Sequence, residues 1–299
     1  MSGKGDSKSK STRGSKKTVV FHRLFFERWD PKTGTVRNPV VTLSQVKDAI
    51  EATTVEGGGE KLSSSNPANF VKDFIRRADS ANSNWPDELK DLRWTMRQKT
   101  GDNDCFQFIP YDIDQTEPFE DPFLPGSTTP SHLMQSVTIP KASRDLGRKD
   151  EQWLIQVAVR QGVIPTHLAL HSKIQIQEIV HLQTAVKLRK TEIDALFLAH
   201  YLAGEETKTA LITCEAKHNE SILPDQIVNQ ANAGSALNKA DCVIPMAMRV
   251  VKNEGNKDSG GLVYVCEFES VPSGAEIDRS QLKLVSDCVY EFQPPIKGV

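Results

Sequence analysis

The order of apolar and polar positions divides the chain into segments of different period. Residues 18–30, TVVFHRLFFERWD, are dense in β-branched and aromatic side chains and read as strand-like, with PKTG (31–34) as a turn. TLSQVKDAIEA (42–52) repeats its apolar positions at helical spacing. It places Val46, Ala49 and Ile50 on one face and has Thr42 or Ser44 as its cap. EGGGEKLSSSNP (56–67) reads as a loop. NPANFVKDFIRRA then predicts a second helix, opened by Pro67 and striped by Phe70, Phe74 and Ile75. LRWTMRQKTGDNDCFQFIPYD predicts two strands around the turn DND, the second strand being 105–109.

After an acidic, Pro-rich stretch without period (111–132), the pattern resumes. Residues 148–163 predict a helix with Trp153, Leu154, Val157 and Ala158 turned inward, and 173–188 alternate as one or two strands. Two further strands, 191–202 and 208–217, flank the turn-like AGEET. Residues 224–240 form a helix opening on Pro224, and 241–251 and 261–270 read as strands around the polar loop KNEGNKDSGG. The layout is an α/β (α+β) protein. It comprises a basic tail (1–17), a smaller N-terminal α+β module (18–110) with a possible winged-helix pattern, a linker (111–132) and a larger domain (133–299).

Composition narrows the classes. The chain has 299 residues, a net charge of −2 and no apolar run of the length a membrane helix needs. No charged-then-apolar start marks a secretory signal, so a cytoplasmic location is expected. Five scattered cysteines without a CxxC pair argue against a disulfide framework or a zinc ribbon. The tail is Ser, Gly, Lys and Arg, a composition too polar to offset ordering entropy. It serves as a solubilising segment or as a sequence-independent phosphate contact. Lys72, Arg76 and Arg77 on the second helix, with Arg97 and Lys99 on the hairpin, are candidate DNA contacts. An ordinary solvated face is the competing reading.

The candidate chemistry lies where an apolar strand turns polar, in TALITCEAKHNE (209–220). Strand alternation puts Thr213, Glu215 and Lys217 on one face and Ile212, Cys214 and Ala216 on the other. Asp194, in the preceding apolar strand, lies near Glu215 if the two strands form a hairpin. Two carboxylates brought together require a cation or a shared proton. Hard oxygen donors of this kind suit Mg²⁺, and a neighbouring lysine suits charge that builds on a phosphoryl group. His200 and His218 flank the same strands without a motif around them, while His171 and His181 read as structural or surface residues.

The run EIDALF … ALITCEAK … PDQIVNQ resembles the core of the PD-(D/E)XK nuclease superfamily over roughly residues 148–251. That resemblance implies a restriction-endonuclease-like fold, with a mixed central sheet flanked by helices. It matches Asp194, Glu215 and Lys217 to the core positions, and Gln230 or Gln226 to the helical glutamine. Ile193 stands where the motif's proline would be. An added acid is matched by Glu151 or, as runner-up, Glu178, and Glu192 shares a strand with Asp194. The implied activity is a Mg²⁺-dependent endonuclease, with Mn²⁺ as a substitute, acting on double-stranded DNA. Asp194, Glu215 and the Ala216 carbonyl would hold the metal. A type II restriction enzyme in defence against foreign DNA, acting as a homodimer, fits the size and layout best. Three alternatives stay open: a repair or resolvase-type nuclease, a non-cleaving DNA-binding protein on the same fold, and a structural domain with an exposed Glu–Lys pair.

Overall fold

A computed structural model describes residues 15–56, 62–99, 103–188, 191–251 and 261–299. Among these residues the protein is mixed α/β, with nine helices, small N-terminal sheets and one large mixed sheet in the C-terminal half. It divides into two compact units, Met1–Glu120 and Asp121–Val299. Most of the basic tail, and the loop residues 57–61 and 252–260, lie outside the described residues.

The first unit opens with α1 (Lys16–Phe26), where a strand was expected. Val20, Phe21, Leu24 and Phe25 are buried at helical spacing, and the Ser15 side chain accepts from the Lys17 N–H. The aromatic and β-branched composition gave a false strand signal, because tertiary packing of one helical stripe overrode local propensity. The helix also takes residues 16 and 17 out of the expected tail. A two-stranded ribbon follows, β1 (Trp29–Asp30) with β2 (Thr35–Val36), then β3 (Val40–Thr42) and α2 (Leu43–Glu56).

The helix α3 (Pro67–Ile75) starts on the Asn66 cap with Pro67 in its first turn, and buries Phe70, Phe74 and Ile75 as the sequence predicts. Two short helices, α4 (Ala78–Asn84) and α5 (Asp87–Asp91), lead to the hairpin β4 (Trp94–Gln98) and β5 (Asp104–Pro110). The sheet order is β3-β5-β4, antiparallel throughout. Phe21, Phe25, Phe74, Trp85, Phe106 and Phe108 pack edge-on or tilted in one aromatic core. The Trp85 indole N–H donates to the Trp94 carbonyl at 2.8 Å, which satisfies the buried ring's one polar group.

The stretch 111–132 is packed rather than free. Phe119 stacks edge-on against Trp85 in the first unit, whereas Asp121 pairs with Arg249 in the second at 2.7 Å. From there the second unit runs through β6 (Ser131–Gln135), α6 (Lys141–Leu146), α7 (Glu151–Gln161) and α8 (Val163–His171). Next come β7 (Gln175–Leu188), β8 (Thr191–Ala203), β9 (Glu206–His218) and α9 (Pro224–Ser235). The unit ends with β10 (Cys242–Val251), β11 (Leu262–Phe268), β12 (Val271–Pro272), a 3₁₀ turn (Arg279–Gln281) and β13 (Leu284–Gln293).

The sheet order is β6-β13-β11-β10-β9-β8-β7, with β12 paired to β10. β7, β8 and β9 form an antiparallel meander, and β9 runs parallel to β10 through the α9 crossover. Leu154, Ile155 and Ile164 of α7 and α8 pack on one face with Ile212, Cys214 and Ala216. α9 covers the other face, with Ala231 against Leu211 and Val243. A Cβ at Gly234 would stand 3.2 Å from Val243 and 3.3 Å from Thr213, so the missing side chain lets α9 lie close to the sheet. β9 and β10 are buried on both faces, which explains their near-continuous apolar sequence.

Residues 296–299 close the entry to α7. Ile296 and Val299 are fully buried, the Trp153 indole N–H donates to the Lys297 carbonyl at 3.1 Å, and His218 meets the Gly298 carbonyl at 3.1 Å. Gly147 and Gly298 sit so near the opposing backbone that a Cβ on either would overlap a carbonyl.

Candidate active site

Glu215 and Lys217 stand at the end of β9 on the sheet face that α9 covers, as strand alternation predicts. Both are buried, at 4% and 7% exposed. The Lys217 ammonium donates to Glu215 Oε1 at 2.6 Å and to Glu151 Oε1 at 3.2 Å. Glu151 is the first residue of α7, just after the Asp150 cap, where the helix N-terminus favours a carboxylate.

The hairpin does bring Asp194 to this place, and the local backbone shows how. The β8–β9 ladder ends at the pair Ala195–Cys214, one residue short of Asp194. Beyond that point Asp194 Oδ2 accepts the Ala216 N–H at 2.8 Å, so the side chain takes a main-chain donor at the ladder's end. On the other side β7 carries Ala185 at φ 50, opposite Asp194 in the register. Such irregularities re-aim side chains, and they recur at functional sites.

Gln230, on the second turn of α9, is 2% exposed. Its amide N–H₂ donates to Glu215 Oε2 and to the Glu192 main-chain carbonyl, the latter at 3.2 Å. Its Oε1 is buried without a hydrogen-bond partner, and so is that of Gln226, one turn earlier. Of the two glutamines, Gln230 is therefore the one that touches the acids. Of the two candidate added acids, Glu151 reaches Lys217, while Glu178 is exposed and lies opposite His200, six residues along β8 from Asp194. Glu192 is exposed, and its contribution to the site is its backbone carbonyl, which no side-chain pattern could reveal.

The electrostatics follow from crowding acids into a buried place. Burial, then the charge of Glu215, push the Asp194 carboxyl up to about 8, against the pull of the Ala216 N–H and Lys217. Burial likewise raises Glu215, opposed chiefly by Lys217. For Lys217, burial favours the neutral amine, but the charges of Glu215 and Glu151 outweigh it and raise its pKa, so it stays an ammonium.

No family model, curated protein or solved structure matches the chain.

Among the described residues, no three or more His, Cys, Asp or Glu side chains gather closely enough to enclose a metal ion. The donor set at the strand ends is smaller: two carboxylates, Asp194 and Glu215, both raised chiefly by burial. One or two carboxylates, with water completing the shell, is the usual protein contribution to a Mg²⁺ site, so the residues fit that ion.

The other candidates are less concentrated. Lys72, Arg76 and Arg77 are exposed at the end of α3, but Arg76 pairs with Asp73 at 3.1 Å. Arg97 is half-buried on β4, and Lys99 pairs with Asp104 at 3.2 Å. His218 is occupied by the Gly298 carbonyl and by the Asn219 amide at 2.8 Å. A buried polar network passed unnoticed in the sequence: His167 meets Tyr290 at 3.1 Å and Ser286 at 3.0 Å, and Ser286 and Ser172 both donate to Glu267. Burial, then His171, hold His167 down at about 4 against the pull of Asp287, so it is neutral at ordinary pH. This network is closed on itself and joins α8 to β11 and β13. The five cysteines are buried and unbridged, and no helix among the described residues is long and apolar enough to cross a membrane.

Proposed function

We propose that this protein is a Mg²⁺-dependent endonuclease of the PD-(D/E)XK type, hydrolysing phosphodiester bonds in double-stranded DNA. The observation that carries the reading is the convergence of Asp194, Glu215, Lys217 and Gln230 from two strands and a helix onto one buried strand end. The strand–strand–helix–strand order of β8, β9, α9 and β10 supports a restriction-endonuclease-like core, with α7 supplying Glu151. In the first unit, the helix–strand–helices–hairpin order and the β3-β5-β4 sheet support a winged-helix-like module, with α3 and β4 carrying the basic residues.

Asp194, Glu215 and the Ala216 carbonyl would hold the Mg²⁺ (or Mn²⁺), which when bound supplies a lowered water pKa and charge neutralisation at the phosphate. The chain's own residues do the rest. Lys217, kept charged by its two acids, donates to the attacking water and to a phosphate oxygen. Gln230 fixes the rotation of the Glu215 carboxylate, and the Glu192 carbonyl fixes Gln230. Glu151 steadies the ammonium. Each chain holds one such site, so cutting both DNA strands takes a homodimer, and restriction of foreign DNA is the role this layout fits best.

Plasmid cleavage by the full chain in Mg²⁺ tests the reading. Asp194→Ala and Lys217→Ala should each lower the rate by about 10²–10³-fold or more. Activity surviving both substitutions refutes this site. A second reading, a non-cleaving DNA-binding protein, has one observation on its side: both oxygens of Glu215 are already engaged, by Lys217 and Gln230. DNA binding without cleavage in any divalent cation would decide for it.

A further inference from the structure

The engagement of Glu215 has a direct consequence for any cation that uses it. One oxygen is taken by the Lys217 ammonium at 2.6 Å and the other by the Gln230 amide. A divalent cation that takes Glu215 as a ligand competes with these donors for its oxygens, and the ammonium, as a like charge, is the one it repels. Gln230 is the harder to move, because it is buried in α9 and tied from behind to the Glu192 carbonyl. Lys217 already has a second acceptor in reach, Glu151 Oε1 at 3.2 Å. The two acceptors differ: the Glu215 side chain is 5% exposed, while that of Glu151 is 38% exposed and borne by a different element.

We propose that Lys217 is an exchangeable counter-cation for Glu215 and that Glu151 is its receiving station. On arrival of a divalent cation at Glu215, the ammonium withdraws to Glu151. Glu151 is thus a positioning residue, acting through Lys217 rather than on the cation. Two positive charges cannot share one buried carboxylate without strong repulsion. An ammonium expelled from Glu215 with nowhere to go would be left buried and unpaired, at a cost larger than that of most single interactions. With Glu151 in place the exchange conserves ion pairing: one Glu215–Lys217 contact is lost and the Glu151–Lys217 contact tightens. The lysine then rests on the more exposed acid. The inference rests on the metal-dependent reading above and adds how the site opens to its metal.

The test is Mn²⁺ affinity, measured by calorimetry or by the spin-resonance signal of free Mn²⁺, on the full chain without DNA. Glu151→Gln should weaken binding by about tenfold, within the usual range of coupling between sites. Lys217→Met should bind Mn²⁺ more tightly than the unaltered chain, although it is inactive. Adding Glu151→Gln to Lys217→Met should then change nothing. An equal loss from Glu151→Gln in both backgrounds would mean that Glu151 acts by its own charge or as a ligand, and would overturn the proposal. So would weaker binding by Lys217→Met. Glu151→Asp keeps the charge but withdraws the carboxylate by one methylene, so it tests the reach of the station even if Lys217→Met fails to fold. It should lose affinity several-fold, and an unchanged affinity would refute the proposal. Absence of any Mn²⁺ binding by the unaltered chain would instead bring down the metal-dependent reading itself, and this inference with it.

Discussion

Asp194 ties the protonation of one carboxyl to the stability of the fold. Its pKa is pushed up to about 8, first by burial and then by Glu215, whereas an aspartate in an unfolded chain titrates near 3.9. Between those values the folded chain keeps a proton that the unfolded chain has released, so stability falls as pH rises through that window. Asp194→Asn removes the titration. Its melting temperature should vary less between about pH 4 and pH 8, and it should exceed that of the unaltered protein at pH 8.5 without divalent cation. Parallel pH profiles for the two proteins would show that the carboxyl is not buried as described. The residue pattern carried this much of the site: Glu215 and Lys217 share a face because strands alternate. It could not show that the β8–β9 ladder stops at Ala195, nor that Ala185 takes a positive φ opposite Asp194. A backbone departure of that kind leaves no mark on side-chain periodicity.

At the scale of elements, α9 determines how close Gln230 comes to Glu215, and Gly234 determines how close α9 comes to the sheet. Gly234→Leu must push the helix off Val243 and Thr213, and overpacking of this kind costs about 1–3 kcal/mol. Urea unfolding should show that loss. Mn²⁺ affinity should fall as well, because Gln230 shares the helix; a variant as stable as the parent would show that the sheet gives way instead. The elements most legible in the sequence were those with an unambiguous period, such as α2, α3 and the strands β8 and β9. The misread element was α1, where Val19, Val20, Phe21, Phe25 and Phe26 pointed to a strand by composition. The spacing of Val20, Phe21, Leu24 and Phe25 is helical, and their burial on one stripe decided the outcome. β6 escaped notice for the opposite reason. It is a short edge strand with alternating exposure, and it owes its conformation to pairing with β13 more than 150 residues later.

Across the whole second unit, the candidate site is braced by residues that do not line it. Residues 296–299 bury Ile296 and Val299 and bond to the start of α7, the helix that presents Glu151. Their deletion should cost about 3–6 kcal/mol, the burial value of two aliphatic side chains. Divalent-cation affinity should weaken in parallel, as read by chemical unfolding and Mn²⁺ titration. An undiminished affinity would detach these residues from the site.

The same contacts join partners 144 residues apart in the case of Trp153 and Lys297, and 80 apart in the case of His218 and Gly298. Closures that distant cost loop entropy before their contacts repay it. During synthesis, Asp194, Glu215 and Lys217 emerge well before residue 297 exists to secure the helix that carries Glu151. A nascent chain would therefore hold every acid and amine of the site without their final arrangement, and whatever chemistry the site performs would wait until translation had passed that point.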